Sequence, residues 1–446
     1  MQPIGILLLL AVVTTGVVLV VRLLRHRRAR PAPAGAGRPS TIDVTAELPT
    51  FNIIALGAQE TGKTVLLASM FHRLSTELRE GGFRLVTGLE QAADLTDLYA
   101  TLRDPGDAWP PGTMIGQTRS FSFDCVGTAG GRDHAVLRFN YLDYAGELVG
   151  GGRAASVPVH GRQVSQQDLE QRLDAAHAIF GIIDGRRMVD ALRGGRDGQL
   201  YLENTIVPMI VLMRRAECPV HFVLTKWDLF DTVGADEDEE NDRLELARKE
   251  LLSYPPIRNL VEQRRRTHKI VRLIPVSAIG RQFATMTEDG HMVKLPHGRL
   301  RPVNVELPLC AVLPDLFAQV SAKLDAAVER KIAEESRALS RLSLTETMSA
   351  VGRFLARPTG QAVRLAADLA VGRNVFSEQI VGTFLDWIGE PFEAKAREVA
   401  QAIDDAHRSA DQIRLARQAV LEEFRENMVV LRRQLPASDL TTWGVR

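Results

Sequence analysis

The sequence is short of cysteine and has no excess of charge, and each shortage excludes a class of protein. Three cysteines, Cys125, Cys218 and Cys310, lie far apart among 446 residues, with no C-x-x-C pair. This spacing offers neither a disulfide framework nor a cysteine metal site, and it suits a reducing compartment. Basic and acidic residues balance at 55 each. A neutral chain argues against nucleic acid as a partner.

Long uncharged runs are also scarce, but one opens the chain. Residues 4–21 carry no charge, and arginines follow at once from Arg22 onward. The run is just long enough to cross a bilayer as a helix, and the positive-inside rule puts everything after Arg22 in the cytoplasm. We therefore predict a membrane anchor with a basic flank over residues 1–30, in the cell inner membrane. A buried core helix is the alternative.

The next part of the chain predicts a linker and then an α/β domain. Residues 31–48 are rich in Pro, Gly and Ala, which is typical of a flexible linker. Over residues 49–336, strand-like and helical runs alternate, which predicts a mostly parallel sheet covered on both faces. The six predicted strands are 51–56, 119–126, 135–142, 178–184, 219–225 and 270–276. The predicted helices between them are 63–79, 166–177, 200–216 and 242–265. The second and third strands are joined only by residues 127–134, so they should form an antiparallel hairpin.

The β signal stops near residue 336, and residues 337–446 predict a helical C-terminal region. Its last helix carries a narrow stripe of apolar and small residues spaced three or four apart. We favour packing of this stripe within the same chain, and self-association as a coiled coil is the alternative. The stripe consists of Val399, Ile403, Ala406, Ala410, Ile413, Ala416, Val420, Phe424, Met428 and Leu431.

Residues 57–64 form a complete G-x-x-x-x-G-K-[ST] phosphate-binding loop between a predicted strand and a predicted helix. Such a loop surrounds phosphates with backbone N–H groups at a helix N-terminus. We expect Lys63 to reach the β- and γ-phosphates as a catalytic residue, and the Thr64 hydroxyl to bind Mg²⁺. The predicted phosphate contacts are Gly57, Ala58, Gln59, Glu60, Thr61, Gly62, Lys63 and Thr64.

A D-x-x-G pattern follows the third predicted strand, at residues 143–146. In this pattern Asp143 holds Mg²⁺ through water, and the Gly146 N–H contacts the γ-phosphate. A switch threonine that meets Mg²⁺ should precede the strand at 119–126. Thr113 is favoured because the Pro-rich residues before it keep the chain in an extended conformation. Thr118 is the alternative.

Two further motifs predict that the base is guanine. Thr225-Lys226-Trp227-Asp228 matches [NT]-K-x-D and follows the fifth predicted strand. The Asp228 carboxylate can accept hydrogen bonds from the guanine N1–H and exocyclic amine, a pair that adenine lacks. Ser277-Ala278 follows the sixth strand and matches the short S-A motif whose backbone contacts the guanine oxygen. The predicted guanine contacts are Thr225, Lys226, Asp228, Ser277 and Ala278.

Together these motifs resemble the TRAFAC class of P-loop GTPases, near the Ras/Arf and signal-recognition-particle-receptor-β branch. The phosphate loop and residues 143–147, 109–113 and 301–306 are more narrowly similar to bacterial double-GTPase-type TRAFAC proteins. The resemblance covers roughly residues 50–335. It implies a Ras-like three-layer sandwich that binds GTP or GDP with Mg²⁺ and hydrolyses GTP as a molecular switch.

One position departs from that pattern. Ras-like enzymes place a Gln after the D-x-x-G glycine, where it orients the attacking water, but this chain has Glu147. A carboxylate near the γ-phosphate disfavours turnover, so we expect slow or partner-activated hydrolysis. Arg153 and Arg162 could supply compensating charge. A hydrolysis-poor scaffold that tethers a partner to the membrane is the alternative function, and a P-loop ATPase is disfavoured by residues 225–228.

Overall fold

A computed structural model describes eight ranges of the chain and four single positions. These are residues 48–76, 82–106, 108–110, 118–145, 166–235, 239–287, 292–320 and 404–442, with positions 322, 380, 383 and 387. All of them belong to one compact unit, Glu47–Arg446. The predicted anchor lies outside the described residues, as does all but residue 48 of the predicted linker. The domain boundary at residues 336 and 337 stays a prediction.

A seven-stranded sheet forms the centre of this unit. In chain order its strands are β1 (Thr50–Gly57), β2 (Arg84–Val86), β3 (Thr118–Ala129), β4 (Arg132–Ala145), β5 (Ala178–Ile183), β6 (Val220–Leu224) and β7 (Val271–Pro275). The spatial order is β2-β3-β4-β1-β5-β6-β7. Strands β4, β1, β5, β6 and β7 run parallel, whereas β3 is antiparallel to β4 and β2 is antiparallel to β3. All six predicted strands are therefore present. The predicted count of six is wrong, because the sheet also contains the short edge strand β2.

The sequences of the strands explain their places in the sheet. The central strands β5, β6 and β7 are buried at every residue, as expected for parallel strands that are covered on both faces. The predicted β3–β4 hairpin is confirmed, and its turn is tighter than the sequence indicated. Gly130 and Gly131 have φ angles of 58° and 73°, which a two-residue hairpin turn requires and which glycine adopts without steric cost.

Ten labelled helices surround the sheet. They are α1 (Lys63–Thr76), α2 (Leu89–Arg103), α3 (Gln166–Asp174), α4 (Gly185–Leu192), α5 (Arg196–Tyr201), α6 (Val207–Arg215), α7 (Glu240–Ser253), α8 (Pro255–Arg266), α9 (Leu307–Cys310) and α10 (Asp404–Gln434). Residues 312–320 are also helical. The single helix predicted over 242–265 is wrong: the chain breaks at Tyr254, because the residue before a proline disfavours the helical region. The helix predicted over 200–216 contains a π-helical turn, Leu202–Ile206.

Helices cover both faces of the sheet, which confirms the α/β sandwich. On one face, Phe51 of β1 contacts Phe317 of the 312–320 helix at 6.2 Å between ring centroids. On the other face, α6 packs so closely that a Cβ at Gly181 of β5 would meet the Met213 methyl at 2.5 Å. Glycine at this position therefore lets the helix approach the strand.

The C-terminal helix α10 packs on the same face as the 312–320 helix. Its Phe424 contacts Phe83 at 4.8 Å and Phe139 of β4 at 6.2 Å between ring centroids. The described part of the predicted stripe is buried at Ala416, Val420, Phe424, Met428 and Leu431. Packing within the chain is therefore confirmed for this part of the stripe, and self-association stays a prediction for the rest.

An insertion after β7 forms a second, smaller sheet. Strands β8 (Ala284–Met286) and β9 (Met292–Lys294) pair antiparallel. Phe283 and Ile279 of this insertion pack with Ala68 of α1 and with Tyr99 and Leu102 of α2 in a small separate core. The insertion is therefore folded against α1, which follows the phosphate loop, and against α2.

The predicted location at the inner membrane needs correction. Within the part of the chain that the structure describes, no helix combines the length and apolarity needed to cross a bilayer. The longest, α10, has 31 residues but carries charged side chains in nearly every turn. Residues 4–21, on which the prediction depended, lie outside the described residues, and the membrane location is contradicted by the helices that are described.

Candidate nucleotide site

The phosphate loop connects β1 to α1 in a strained turn. Glu60 and Gly62 have φ angles of 63° and 87°, and the Thr61 hydroxyl donates to the Ala58 carbonyl at 2.9 Å. The first helical hydrogen bond of α1 then runs from the Leu66 N–H to the Gly62 carbonyl at 2.8 Å. The loop therefore ends at a helix N-terminus, which favours an anion.

Lys63 lies inside this loop with only 7% of its surface exposed. Its ammonium donates to the carbonyls of Gly57 and Ala58, at 2.7 and 2.8 Å. Burial lowers the pKa of Lys63, and the negative charge of Asp143 opposes that shift. Bound phosphates would favour the charged form further, so the side chain is suited to an anionic ligand.

Asp143 lies at the carboxyl end of β4, beside the start of the phosphate loop. It pairs with Ala55 of β1 in the sheet register, and Ala145 pairs with Gly57. The side chain is almost fully buried. A carboxylate here and the Thr64 hydroxyl on the first turn of α1 are oxygen ligands of the kind that Mg²⁺ takes together with phosphates and water. The donor set therefore fits Mg²⁺.

The predicted guanine motif is attached directly to the phosphate loop. The Thr225 hydroxyl contacts the Thr61 carbonyl at 2.6 Å. Lys226 adopts a left-handed conformation with φ at 54°, and its ammonium donates to the Glu60 carbonyl at 2.9 Å. The same ammonium forms an ion pair with Asp184 at 2.9 Å. These bonds hold the predicted guanine motif at a fixed distance from the phosphate loop.

Asp228 and Ser277 face each other at the adjacent strand ends. The Ser277 hydroxyl donates to Asp228 Oδ1 at 2.5 Å and accepts from the Gly280 N–H at 2.8 Å. Burial raises the pKa of Asp228, and the Ser277 hydrogen bond opposes the rise. The sequence predicted only a backbone role for the S-A motif, whereas the structure shows that the Ser277 side chain orients the carboxylate.

The Ser277-Ala278 pair is held from two sides. Its carbonyl accepts from the Ser69 hydroxyl of α1 at 2.8 Å. Ser277 and Val303 exchange backbone hydrogen bonds of 3.0 and 2.8 Å. Sequence reasoning missed Ser69, Asp184 and Val303 as supporting residues. Asp184 directly follows an apolar strand, a signal that could have found it, but Ser69 sits 209 positions from its partner and gives no local signal.

Several predicted site residues lie outside the described residues. These are Thr113, Gly146 and Glu147, together with Arg153 and Arg162. The alternative switch residue, Thr118, begins β3 and pairs with Tyr144, directly after Asp143 in the chain. The choice between Thr113 and Thr118 therefore stays open. Gln59 and Glu60 lie within the loop, where the Glu60 carbonyl accepts from Lys226. Their contacts with phosphate stay a prediction.

Every described motif lies at the carboxyl end of a parallel strand. The phosphate loop follows β1, Asp143 nears the end of β4, and the Asp184, Thr225–Asp228 and Ser277 positions follow β5, β6 and β7. In open α/β sheets, ligands bind in the crevice at this edge. The chain has a P-loop GTPase fold.

Known structures of this fold resemble about half of the chain. The signal recognition particle receptor SRb-GTP/SRX complex from Chaetomium thermophilum has 20% identity and a TM-score of 0.29, over 52% of this chain and 92% of that one. The bacterial selenocysteine-specific elongation factor EF-Sec has 13% identity and a TM-score of 0.25, over 52% and 26%. Era from Aquifex aeolicus, bound to GDP.AlF4-, has 15% identity and a TM-score of 0.22, over 52% and 52%.

This chain therefore spans only about a quarter of the elongation factor. The identities and TM-scores are too low to indicate function, so the fold assignment depends on sheet order and motif position. No protein-family model matches the sequence. No curated protein matches it significantly.

Proposed function

We propose that this protein binds GTP and GDP with Mg²⁺ and hydrolyses GTP slowly as a molecular switch. The supporting observation is the attachment of the base-recognition motif to the phosphate loop: Thr225 and Lys226 contact its backbone, and Ser277 orients Asp228. A Lys–Asp turn that merely lay on the surface would not be expected to make these contacts. The arrangement suits one nucleotide lying across the strand ends.

Each part of the site has a distinct role in this proposal. Lys63 binds the β- and γ-phosphates and stabilises charge that develops as the terminal bond breaks. Thr64, Asp143 and the switch threonine, Thr113 or Thr118, would hold Mg²⁺, which when bound neutralises the phosphate oxygens. Asp228 selects guanine, because with adenine its buried carboxylate would be left without its hydrogen-bond donors.

We propose that GTP hydrolysis is slow because Glu147 stands where Ras-like enzymes have Gln. A carboxylate does not donate a hydrogen bond when ionised, and it repels the γ-phosphate, so the attacking water lacks the usual orienting group. A protein activator that supplies positive charge would then raise the rate. The long stretch of chain between the phosphate loop and β3, and the insertion at residues 280–308, are where such a partner would be expected to bind.

Nucleotide binding by purified protein tests the proposal. We expect micromolar or tighter binding of GTP and GDP that depends on Mg²⁺, and no competition by ATP. Lys63→Ala should abolish binding. Lys269→Ala is the matched control, because Lys269 is also largely buried but pairs with Glu217 away from the site. Unchanged binding by Lys63→Ala would contradict the assignment, and effective competition by ATP would favour the P-loop ATPase.

The second candidate is a nucleotide-bound scaffold that scarcely hydrolyses GTP, and Glu147 is the observation that favours it. Single-turnover phosphate release separates the two functions. A rate well above uncatalysed hydrolysis, with or without cell extract, supports the switch. A rate at background in both conditions supports the scaffold.

A further inference from the structure

Helix α1 holds residues 301–306 through Arg73. The Arg73 guanidinium donates through Nη1 to the Pro302 carbonyl at 3.1 Å. Its Nε forms an ion pair with Glu306 at 3.1 Å, and only 25% of the Arg73 side chain is exposed. A hydrogen bond from a charged, mostly buried donor is stronger than one between neutral groups in water. Arg73 therefore places a positive charge beside the carbonyl of the Pro302–Val303 peptide group.

The Pro302–Val303 peptide group connects Arg73 to the Ser277-Ala278 motif. The described peptide bonds are all trans, so the C=O and N–H of each peptide group point in opposite directions. The Val303 N–H, opposite the Pro302 carbonyl, donates to the Ser277 carbonyl at 2.8 Å. In the Ser277–Ala278 peptide group, the Ala278 N–H in turn points away from Val303. A series of hydrogen bonds, which we call the Arg73 relay, therefore runs from Arg73 through Pro302–Val303 to Ser277–Ala278.

The direction of the Ala278 N–H is fixed from the other side as well. Ser69, one turn before Arg73 on α1, donates to the Ala278 carbonyl at 2.8 Å and so holds the following peptide group. Ala278 is half-buried, and within the described ranges its N–H forms no hydrogen bond with another protein group. This N–H is therefore suited to an acceptor on a ligand, and the guanine oxygen is the acceptor that the S-A motif predicts.

We propose that Arg73 is a positioning residue for base specificity: through the Arg73 relay it orients and polarises the Ala278 N–H that donates to the guanine oxygen. This inference rests on the proposed function. Hydrogen bonds in series strengthen one another by about 10–30% per bond. Guanine has an acceptor oxygen where adenine has an amine, whose hydrogens would oppose the N–H. Arg73 therefore increases the preference for guanine from α1, the same helix that carries Lys63, without touching the base.

The test compares two ligands that differ only at the guanine oxygen. GTP and 6-thio-GTP offer Asp228 the same two donors, but sulfur accepts hydrogen bonds more weakly than oxygen. Affinities for both are measured with the full-length chain and three variants. Arg73→Met keeps an unbranched stem but removes every donor, and Arg73→Lys keeps a charge and a donor. Arg265→Met is the matched control, because Arg265 also forms a 3.1 Å ion pair, with Glu262 on α8.

We expect Arg73→Met to weaken GTP binding by about fivefold and 6-thio-GTP binding by less than about twofold. Arg73→Lys should recover at least half of the loss, and Arg265→Met should bind both ligands like the parent. The variant should fold, because the Asn304 amide still holds residues 302–304 by donating to the Pro275 carbonyl at 3.1 Å. An equal loss for both ligands would indicate a merely structural residue and overturn the proposal. Unchanged GTP affinity in Arg73→Met would overturn it as well.

Nuclear magnetic resonance of the nucleotide-free protein separates this inference from the proposed function. With nitrogen-15-labelled alanine, the Ala278 amide signal is identified by its loss in Ala278→Gly. Arg73→Met should shift this signal, because the Ser277 carbonyl of the same peptide group is then less polarised, and Arg265→Met should not. An unmoved signal would overturn the relay whatever the protein binds. If the signal moves but the parent protein binds no guanine nucleotide, the proposed function fails, and the effect on base specificity is overturned with it.

Discussion

At the scale of single residues, Asp228 is the side chain that we propose selects the base. Its carboxylate is buried at the end of β6, and the Ser277 hydroxyl fixes its orientation. An ionised buried carboxylate is costly without hydrogen-bond donors. Guanine has two donors at the spacing of the two carboxylate oxygens, and adenine does not. The free-energy cost of burying the carboxylate would therefore be offset by guanine and not by adenine.

Asp228→Asn should therefore change base preference rather than abolish nucleotide binding. We expect GTP affinity to fall by about 3 kcal/mol, because the amide replaces one acceptor with a donor that opposes the guanine amine. Xanthosine triphosphate, which carries an oxygen in place of that amine, should gain affinity. Competition binding measures both effects. Asp231→Asn, in the same 3-10 turn but paired with Arg281, is the control. Strict GTP preference in Asp228→Asn would contradict the role.

Guanine affinity should also depend on pH through Asp228. Burial raises the pKa of this carboxyl in the free protein, and the two guanine donors lower it again in the complex. Above the free pKa no proton moves and affinity is constant. As the pH falls through that raised pKa, binding must release a proton, so affinity drops by up to about tenfold per pH unit. Titration calorimetry across pH measures the drop, which should begin above the ordinary range of an aspartate and vanish in Asp228→Asn.

The sequence indicated Asp228 because the motif is local, but it did not indicate Arg73. Thr225 to Asp228 directly follow a largely apolar strand, so their position after it was enough to recognise the motif. The Pro302 carbonyl that accepts from Arg73 lies 229 positions away from it. No periodicity connects such distant positions, and the contact depends on how the chain after β7 folds back onto α1.

At the scale of elements, the 312–320 helix is attached to the sheet by a buried ionic group. Asp315 accepts two hydrogen bonds from Arg272 of β7, and His221 Nε2 of β6 lies 3.0 Å from Asp315 Oδ2. Burial alone would raise the pKa of Asp315, but the charge of Arg272 outweighs it and the pKa lies well below its usual range. The stability that Asp315 contributes is therefore present above its unfolded pKa and is lost as the pH falls into the acid range.

Removing one partner of the Arg272–Asp315 pair should lower the free energy of unfolding much more than replacing both partners. Asp315→Ala leaves Arg272 charged and buried, so we expect a loss of about 3–5 kcal/mol in the free energy of unfolding. The double variant Arg272→Met with Asp315→Leu should lose less than the single one, because a packed apolar pair removes the stranded charge. Urea unfolding measures both. Asp133→Ala breaks an exposed pair with Arg84 and should change little. A double variant as unstable as Asp315→Ala would contradict the argument.

The predicted and observed elements differ where elements are short. Strands β1, β5, β6 and β7 are mostly apolar, and the sequence located each to within a residue or so. Strands β2, β8 and β9 have three residues each, too few to show an alternating pattern. Their pairing comes from neighbours in the folded chain, so the sequence could not indicate it.

At the scale of the whole molecule, α10 forms part of the core of the unit that carries the candidate nucleotide site. Gly127 of β3 lies so close to it that a Cβ there would meet the Ala416 carbonyl at 2.8 Å. The Glu423 carboxylate accepts from the Phe83 N–H at 2.8 Å, next to the edge strand β2. The last helix thus covers the β2–β4 end of the sheet, and its unfolding should expose the aromatic residues beneath it.

Phe424→Ala tests whether α10 and the nucleotide site unfold together. Phe424 is fully buried against Phe83 and Phe139, so truncation should cost about 3–5 kcal/mol. Val429→Ala changes the same helix at a side chain that is 63% exposed, and it should stay within about 0.5 kcal/mol of the parent. Urea unfolding is followed by circular dichroism for the helices and by release of a fluorescent nucleotide for the site. Because α10 packs on the strands that carry Asp143, both signals should shift together in Phe424→Ala. A helical signal that shifts alone would mean that α10 is a separate cooperative unit.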